Sequence, residues 1–174
     1  MSGIIGGVGS KSGLIGGSLI KNAVIFALNG DESVSNSNTV LTDWTKHTVE
    51  NLGELGTFAS PSSGVFTFPR TGSWYVEARL TTWGTHAAGD NTCNLDIMGT
   101  DDNSTYNLIA YGRVPNSTDG SYYRGGGSIS VIVDITSVAN DKVSVRYSAV
   151  ATGGNLGGQA SNGCSVLFIH LGDT

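Results

Sequence analysis

The chain has 174 residues, of which 26 are glycine and only 13% are charged, and its formal net charge is −5. No apolar run reaches the roughly 20 residues that a membrane-spanning helix needs, and three prolines without a glycine at every third position exclude collagen. Lys and Arg form no cluster, which argues against nucleic acid or an anionic membrane surface as a partner.

Residues 1–21 differ from the rest of the chain, because SGIIGGVGSK (2–11) and SGLIGGSLIK (12–21) are two copies of one decapeptide. Their glycines disfavour an isolated helix, and two copies are fewer than a solenoid requires. The aliphatic residues still need a cover, which favours an extended arm that orders against another surface over a free terminus. We predict an anchoring arm that makes its contacts through Ile4, Ile5, Leu14, Ile15, Leu19 and Ile20.

Residues 22–174 are predicted to form one head domain built from strands. In residues 72–83, Trp74, Val76, Ala78 and Leu80 alternate with polar neighbours, and this period of two is typical of a half-buried strand. Residues 40–58 are ambiguous between a short helix and short extended pieces. Further strands, separated by loops rich in Gly, Asn, Asp and Ser, are predicted at 21–28, 64–69, 91–99, 106–114, 127–136, 138–151 and 163–172. Many short strands joined by such turns predict an all-β sandwich or barrel.

The first and last of these strands are apolar on both faces. In a two-sheet sandwich one face of a strand meets the core and the other normally meets water, so the second face needs a cover. An identical subunit is the simplest cover, and a monomeric sandwich with covering loops is the alternative. The subunit interface is predicted to contain Ile25, Phe26, Tyr111, Leu167, Phe168 and Ile169.

Several segments together resemble the globular head of complement 1q and the tumour-necrosis-factor-like jelly rolls. They are Asn51-Leu-Gly, GVFTFPRTGSWYVEA (64–78), SISVIVDITSVANDKVSVRY (128–147) and SVLFIHLG (165–172). The resemblance spans residues 22–172 and implies a two-sheet antiparallel jelly roll of ten strands that packs as a homotrimer around a three-fold axis. A collagen stalk and a secretory signal are not visible in the sequence, so we do not expect an extracellular animal role.

Three positions within the resembling segments have structural interpretations of their own. Pro69 cannot donate to a strand ladder and should end a strand. Gly72 should supply the turn into the next strand. Asp141 and Lys142 are predicted to form a turn with solvated charges.

The glycine-rich leader resembles the first residues of small virion proteins in tailed phages, where heads of this kind serve as capsid decorations, head fibres or tail-fibre tips. It therefore predicts a non-enzymatic virion protein, made in the host cytoplasm, whose arm binds capsid or tail proteins. The alternative is a tail-fibre tip or adhesin head that binds a host-surface glycan or protein. Its ligand-facing aromatic residues would be Trp83, Tyr106, Tyr122 and Tyr123.

Other chemistry finds little support in the sequence. GGVGSKS (6–12) lacks the glycine that precedes the lysine of a phosphate-binding loop, and no serine has the G-x-S-x-G context. His47, His86 and His170 lack zinc-site spacing. Asp101–Asn103 and Asp119 are predicted to be solvated turns rather than calcium ligands. Cys93 and Cys164 are predicted to be small buried hydrophobes. We therefore expect no cofactor, no metal and no enzymatic activity.

Overall fold

The computed structural model describes residues 20–33, 38–46, 54–85, 92–119, 122–148, 154–156 and 163–174. These residues form the strands β1 (Ala23–Leu28), β2 (Glu32–Ser33), β3 (Thr39–Val40), β4 (Trp44–Lys46), β5 (Glu54–Leu55), β6 (Val65–Thr67), β7 (Gly72–Thr85), β8 (Thr92–Thr100), β9 (Asn107–Asp119), β10 (Tyr122–Ile135), β11 (Lys142–Ser148), β12 (Gly154–Leu156) and β13 (Ser165–Gly172). Within these ranges, no helix is long and apolar enough to cross a membrane. The predicted arm residues Ile4, Ile5, Leu14, Ile15 and Leu19 lie outside the described residues.

The strands form two antiparallel sheets packed face to face. The front sheet has the order β4-β1-β13-β7-β10, with β5 on β1 and β12 on β7, and the back sheet has the order β3-β11-β8-β9, with β6 on β11. β9 takes part in both sheets, because its residues 107–115 pair with β8 and its residues 116–119 pair with β10. This arrangement confirms the predicted all-β, two-sheet antiparallel jelly roll.

The core lies between the sheets and follows the predicted alternation. Trp74, Val76, Ala78 and Leu80 are fully buried, whereas Arg79 between them is exposed. Towards one end of the core, six rings from both sheets and two loops form an aromatic cluster with neighbouring centroids 4.9–6.2 Å apart, namely Phe26, Phe58, Phe66, Phe68, Trp74 and Phe168. Tilted and edge-on rings at these separations add to the stabilisation that comes from apolar burial alone.

The aromatic cluster corrects two of the predicted interface residues. Phe26 and Phe168 have no exposed area and pack with their rings 6.2 Å apart inside one chain. Side chains with no accessible surface cannot contact a neighbouring subunit. β1 and β13 therefore turn Phe26 and Phe168 inward, and the residues that alternate with them, Ile25, Leu167 and Ile169, turn outward.

The turn before β11 differs from its prediction, because its charges are buried. Asp141 is 6% exposed, and its Oδ2 accepts hydrogen bonds from the Thr136 and Ser137 amides at 2.6 and 2.8 Å. Lys142 is 8% exposed, and its Nζ donates to the Val138 carbonyl. Both charged groups thus satisfy backbone groups of the turn, as buried polar groups normally do.

The two ends of the sandwich are distinct. At the first end, called the arm end, residue 20 enters the head, the His170 amide donates to the Asn22 carbonyl at 2.8 Å, and Lys21 Nζ lies 3.9 Å from Asp173 Oδ2. β7 runs from this end, starting at Gly72, to the far end, where Trp83 lies opposite Arg124. The 14 residues of β7 span roughly 40 Å at the usual rise of a strand.

Gly72 provides a test of the turn into β7. Its φ is +122°, and a Cβ at this position would lie 2.6 Å from His170 Nε2. Because both the backbone conformation and the space disfavour a side chain, Gly72→Ala should lower the free energy of unfolding by about 3 kcal/mol in urea titrations. Gly30→Ala is the matched control, since nothing lies within 4 Å of a Cβ there. Equal stability of the two variants would contradict this account of the turn.

Candidate functional site

The outward side of the front sheet, called the front face, is the candidate functional surface. It consists of the residues of β1, β13, β7 and β10 that alternate with the core residues. The strand register places Ala23, Ile169, Tyr75 and Ile132 in one row. The next row contains Ile25, Leu167, Glu77 and Ser130. Neighbouring side chains in such rows stand roughly 5 Å apart, so the aliphatic residues form one continuous patch.

The front face is unusually apolar for a surface that no described residue covers. Ile25, Leu167, Ile169 and Tyr75 are half-buried by their neighbours, and Ile132 is 64% exposed. Ile132 lies on β10, whose residues 126–135 pair only with β7 in the described part of the chain. Three further exposed apolar residues lie on β9 beside this open side of the sandwich, called the β9–β10 edge: Leu108, Ile109 and Tyr111.

A cavity of about 360 Å³ opens at the β9–β10 edge, near the arm end. β9 and β10 diverge there into different sheets, and Ile109, Val133 and Val143 contribute apolar walls. Ile109 is the extra residue at an irregularity in the β8–β9 register, which lies between Ile97 and Met98. No sequence signal marks this irregularity, so the cavity could not be predicted.

Two opposite charges lie in the middle of the front face. Tyr75 Oη donates to Glu77 Oε2 at 3.1 Å. Arg79 follows on the same side of β7 and is exposed, with no hydrogen bond or ion pair to any described residue. A small depression of about 80 Å³ between Glu77 and Arg79 is also lined by Ile25 and Leu167.

The predicted ligand-facing aromatic residues do not form one site. Trp83 is 40% exposed on the front sheet at the far end. Tyr106 is half-buried and precedes β9 of the back sheet near the arm end, so it is separated from Trp83 by the whole sandwich. The backbones of Tyr122 and Tyr123 pair with Thr85 and Gly84 beside Trp83, but their side chains are not among those described.

The other candidate chemistry is also dispersed. His47 and His86 lie outside the described residues, and His170 is buried with its ring 4.9 Å from that of Trp74. Asp102 Oδ1 accepts hydrogen bonds from the Ser104 and Thr105 amides, which lowers the pKa of this carboxyl well below its usual value. In the described part of the chain, no three His, Cys, Asp or Glu residues meet in an arrangement that could hold a metal ion.

No family model matches the sequence, and no curated protein matches it in sequence. Solved structures with the same fold do exist. The Eiger tumour necrosis factor of S. frugiperda has 14% identity and a TM-score of 0.61, over 87% of this chain and 93% of that one. Murine APRIL has 11% identity and a TM-score of 0.55, over 86% of this chain and 98% of that one. The fold is therefore a jelly roll of the tumour-necrosis-factor type.

The two cysteines provide a test of the predicted chemical inertness of the core. Cys93 and Cys164 have no exposed area, and burial is the largest cause that raises the pKa of Cys93 to about 12. At pH 8 only about one Cys93 in ten thousand would then be a thiolate, which is the reactive form. We expect no labelling of the folded protein by a thiol reagent within minutes, and two labelled thiols after unfolding in guanidinium. Rapid labelling of the native chain would contradict the buried placement of these thiols.

Proposed function

We propose that this protein is a non-enzymatic, homotrimeric structural component of a bacteriophage virion. In this proposal it decorates the capsid or forms a short head fibre, residues 1–21 bind capsid or tail proteins of the particle, and the far end of the head points outward. It is made in the host cytoplasm and then resides in the virion. The observation that carries the proposal is the apolar front face, which no residue in the described ranges covers.

The front face and the β9–β10 edge are two different apolar surfaces of one chain. A contact between the face of one copy and the edge of the next is heterologous, and such contacts close into a ring when the rotation permits. Three copies related by a three-fold axis would cover the front face and the edge of every subunit. A stable obligate trimer of this kind should bury well above roughly 2,000 Å² in total.

The charges of the front face support a second copy of this chain as its cover. Glu77 and Arg79 give the middle of the face one negative and one positive group, so a cover for it needs a group of each sign, and another copy of this chain carries both. Charged groups that are desolvated in an interface fix its orientation even where their net contribution to stability is small.

The placement of the two ends supports an anchored, outward-facing head. The arm joins the head beside Lys21 and Asp173, whereas Trp83 lies at the opposite end of β7. A particle that holds the arm would therefore present the far end to the surroundings. The resemblance of the leader to those of tailed-phage virion proteins supports the particle itself as the partner.

A second candidate function is a tail-fibre tip or adhesin head, and one observation favours it. Trp83 is large, aromatic and 40% exposed at the far end, where a host-surface glycan or protein would be met. An exposed aromatic ring of this kind is a common anchor of binding sites. Loss of host adsorption on Trp83→Ala, in particles that still carry the protein, would favour this function over pure decoration.

The trimer can be tested by placing a charge on the front face. Ile169→Asp should leave the fold intact but dissociate the trimer, because the carboxylate would be desolvated without a partner. Native mass spectrometry should then change from three times 17.9 kDa to a single chain. Val138→Asp, at an exposed residue of the turn before β11, is the control that should stay trimeric. A wild-type protein that is monomeric at micromolar concentration would refute the proposed assembly.

The anchoring role of the arm can be tested by deleting residues 2–20. The head should remain a folded trimer, because the front face and the core are unchanged. It should no longer bind to particles that lack the endogenous protein, as measured by co-sedimentation. The full-length Ile169→Asp variant separates the two requirements, since it keeps the arm but loses the trimer. Full binding of the deleted head would show that the arm is not the anchor.

A further inference from the structure

A pocket on the outward side of the back sheet has no role in the proposed trimer. Its volume is about 270 Å³, and it is lined by residues of β3, β6, β8 and β11 and of the segments before β6 and β9. Val40, Val65 and Met98 provide apolar walls, and Met98 is only 7% exposed. A mostly apolar pocket with a few placed polar groups is the usual form of a small-molecule site.

Arg146 at one side of the pocket is held in a fixed orientation. Its Nε and Nη2 donate to Asp96 Oδ2 at 2.9 and 2.7 Å, across directly paired positions of β8 and β11. Its remaining nitrogen, Nη1, has no partner among the described residues. Because Asp96 is only 3% exposed and fully engages one edge of the guanidinium, the free edge of Arg146 is aligned before any ligand arrives.

Two hydroxyl groups complete the polar lining. Ser144 is 3% exposed and lines the pocket, yet its Oγ has no hydrogen-bond partner in the described part of the chain. Tyr106 also lines the pocket, and its Oη has no such partner either. Burial and the nearby Asp102 charge raise the pKa of Tyr106, so its hydroxyl remains a protonated donor at neutral pH. Neither oxygen is among the fully buried unpaired atoms of the described residues, so a ligand or water in the pocket can reach both of them.

The rim at Ser63 is shaped by a tight turn. The Ser62 and Val65 backbones exchange two hydrogen bonds at 3.1 and 2.9 Å, and both residues between them have positive φ, 50° for Ser63 and 77° for Gly64. This geometry belongs to a type I′ hairpin turn. It presents Ser63 at the mouth of the pocket on a short, rigid support.

The geometry points to a binding site for one neutral pyranose ring, a sugar unit of a glycan. Such a ring has an apolar C–H face that fits Val40, Val65 and the Tyr106 ring. Its hydroxyls can accept from Arg146 Nη1 and pair with the hydroxyls of Ser144 and Tyr106. A neutral ligand is favoured over an anion because the Asp96 carboxylate already balances the charge of Arg146. The site does not depend on the virion role or on the trimer, since it lies on the opposite sheet from the front face.

The full-length protein should be titrated with the methyl glycosides of glucose, galactose, mannose and N-acetylglucosamine, with methyl glucuronide as the acidic counterpart. Saturation-transfer NMR and calorimetry at millimolar sugar measure the binding. At least one neutral glycoside should bind saturably and more tightly than methyl glucuronide. Ser144→Ala and Tyr106→Phe each remove one hydroxyl and should weaken this binding about fivefold to tenfold. Ser130→Ala, an exposed serine of the front sheet, should leave the affinity unchanged.

Three results would overturn the site. The first is that no neutral glycoside binds saturably, and the second is that methyl glucuronide binds more tightly than every neutral glycoside. The third is that Ser144→Ala and Tyr106→Phe both leave the affinity unchanged. Native mass spectrometry of the same samples reports the oligomeric state separately, so loss of the sugar site and loss of the proposed trimer are distinguishable. A folded, trimeric protein that binds no sugar would refute this pocket alone.

Discussion

The aromatic cluster between the two sheets is the contact on which the rest of the head depends. Phe26 of β1, Trp74 of β7 and Phe168 of β13 come from the front sheet, and Phe66 of β6 comes from the back sheet. Because side chains alternate strictly along a strand, fixing these rings inward fixes every other residue of the same strands outward. A slip of one residue would expose the rings and bury the charges of β7. The cluster therefore determines the composition of the front face as well as the core.

This constraint explains why an apolar surface exists on a chain with so few charges. Because Phe26 and Phe168 point into the core, the alternating residues Ile25, Leu167 and Ile169 must lie on the front face. The outward side of the back sheet is different, because its positions on β8 and β11 include the polar residues Asn94, Asp96, Ser144 and Arg146. The exterior of one sheet thus contains an aliphatic patch, and the exterior of the other is polar and hydrogen-bonded, with a pocket. We propose the first surface for association and the second for a small ligand.

Much of the fold could be predicted from the sequence, because an apolar residue at every second position shows which side chains of a strand are buried. Trp74, Val76, Ala78 and Leu80 are an example. Phe26 and Phe168 were misassigned because a strand that is apolar on both faces does not say which face is the core. The glycine run 125–127 has a composition typical of turns, yet it continues β10 opposite Leu80, Thr81 and Thr82, since pairing with a long neighbouring strand outweighs the low strand propensity of glycine. The pocket at Ser144 and Arg146 is formed by residues that are far apart in sequence, and no local sequence pattern predicts that they lie together.

The closeness of Lys21, where the arm joins the head, to Asp173 has a practical consequence for protein engineering. Lys21 and Asp173 form an ion pair at 3.9 Å, and Thr174 Oγ1 donates to Asp134 Oδ1 at 3.0 Å, so the last residue is tied to the base of β10. A reporter or enzyme fused after Thr174 would emerge beside the arm and compete for space with whatever holds it. Cargo inserted between β7 and β8 would instead leave from the Trp83 end. The connection between these two strands is therefore the better site for display.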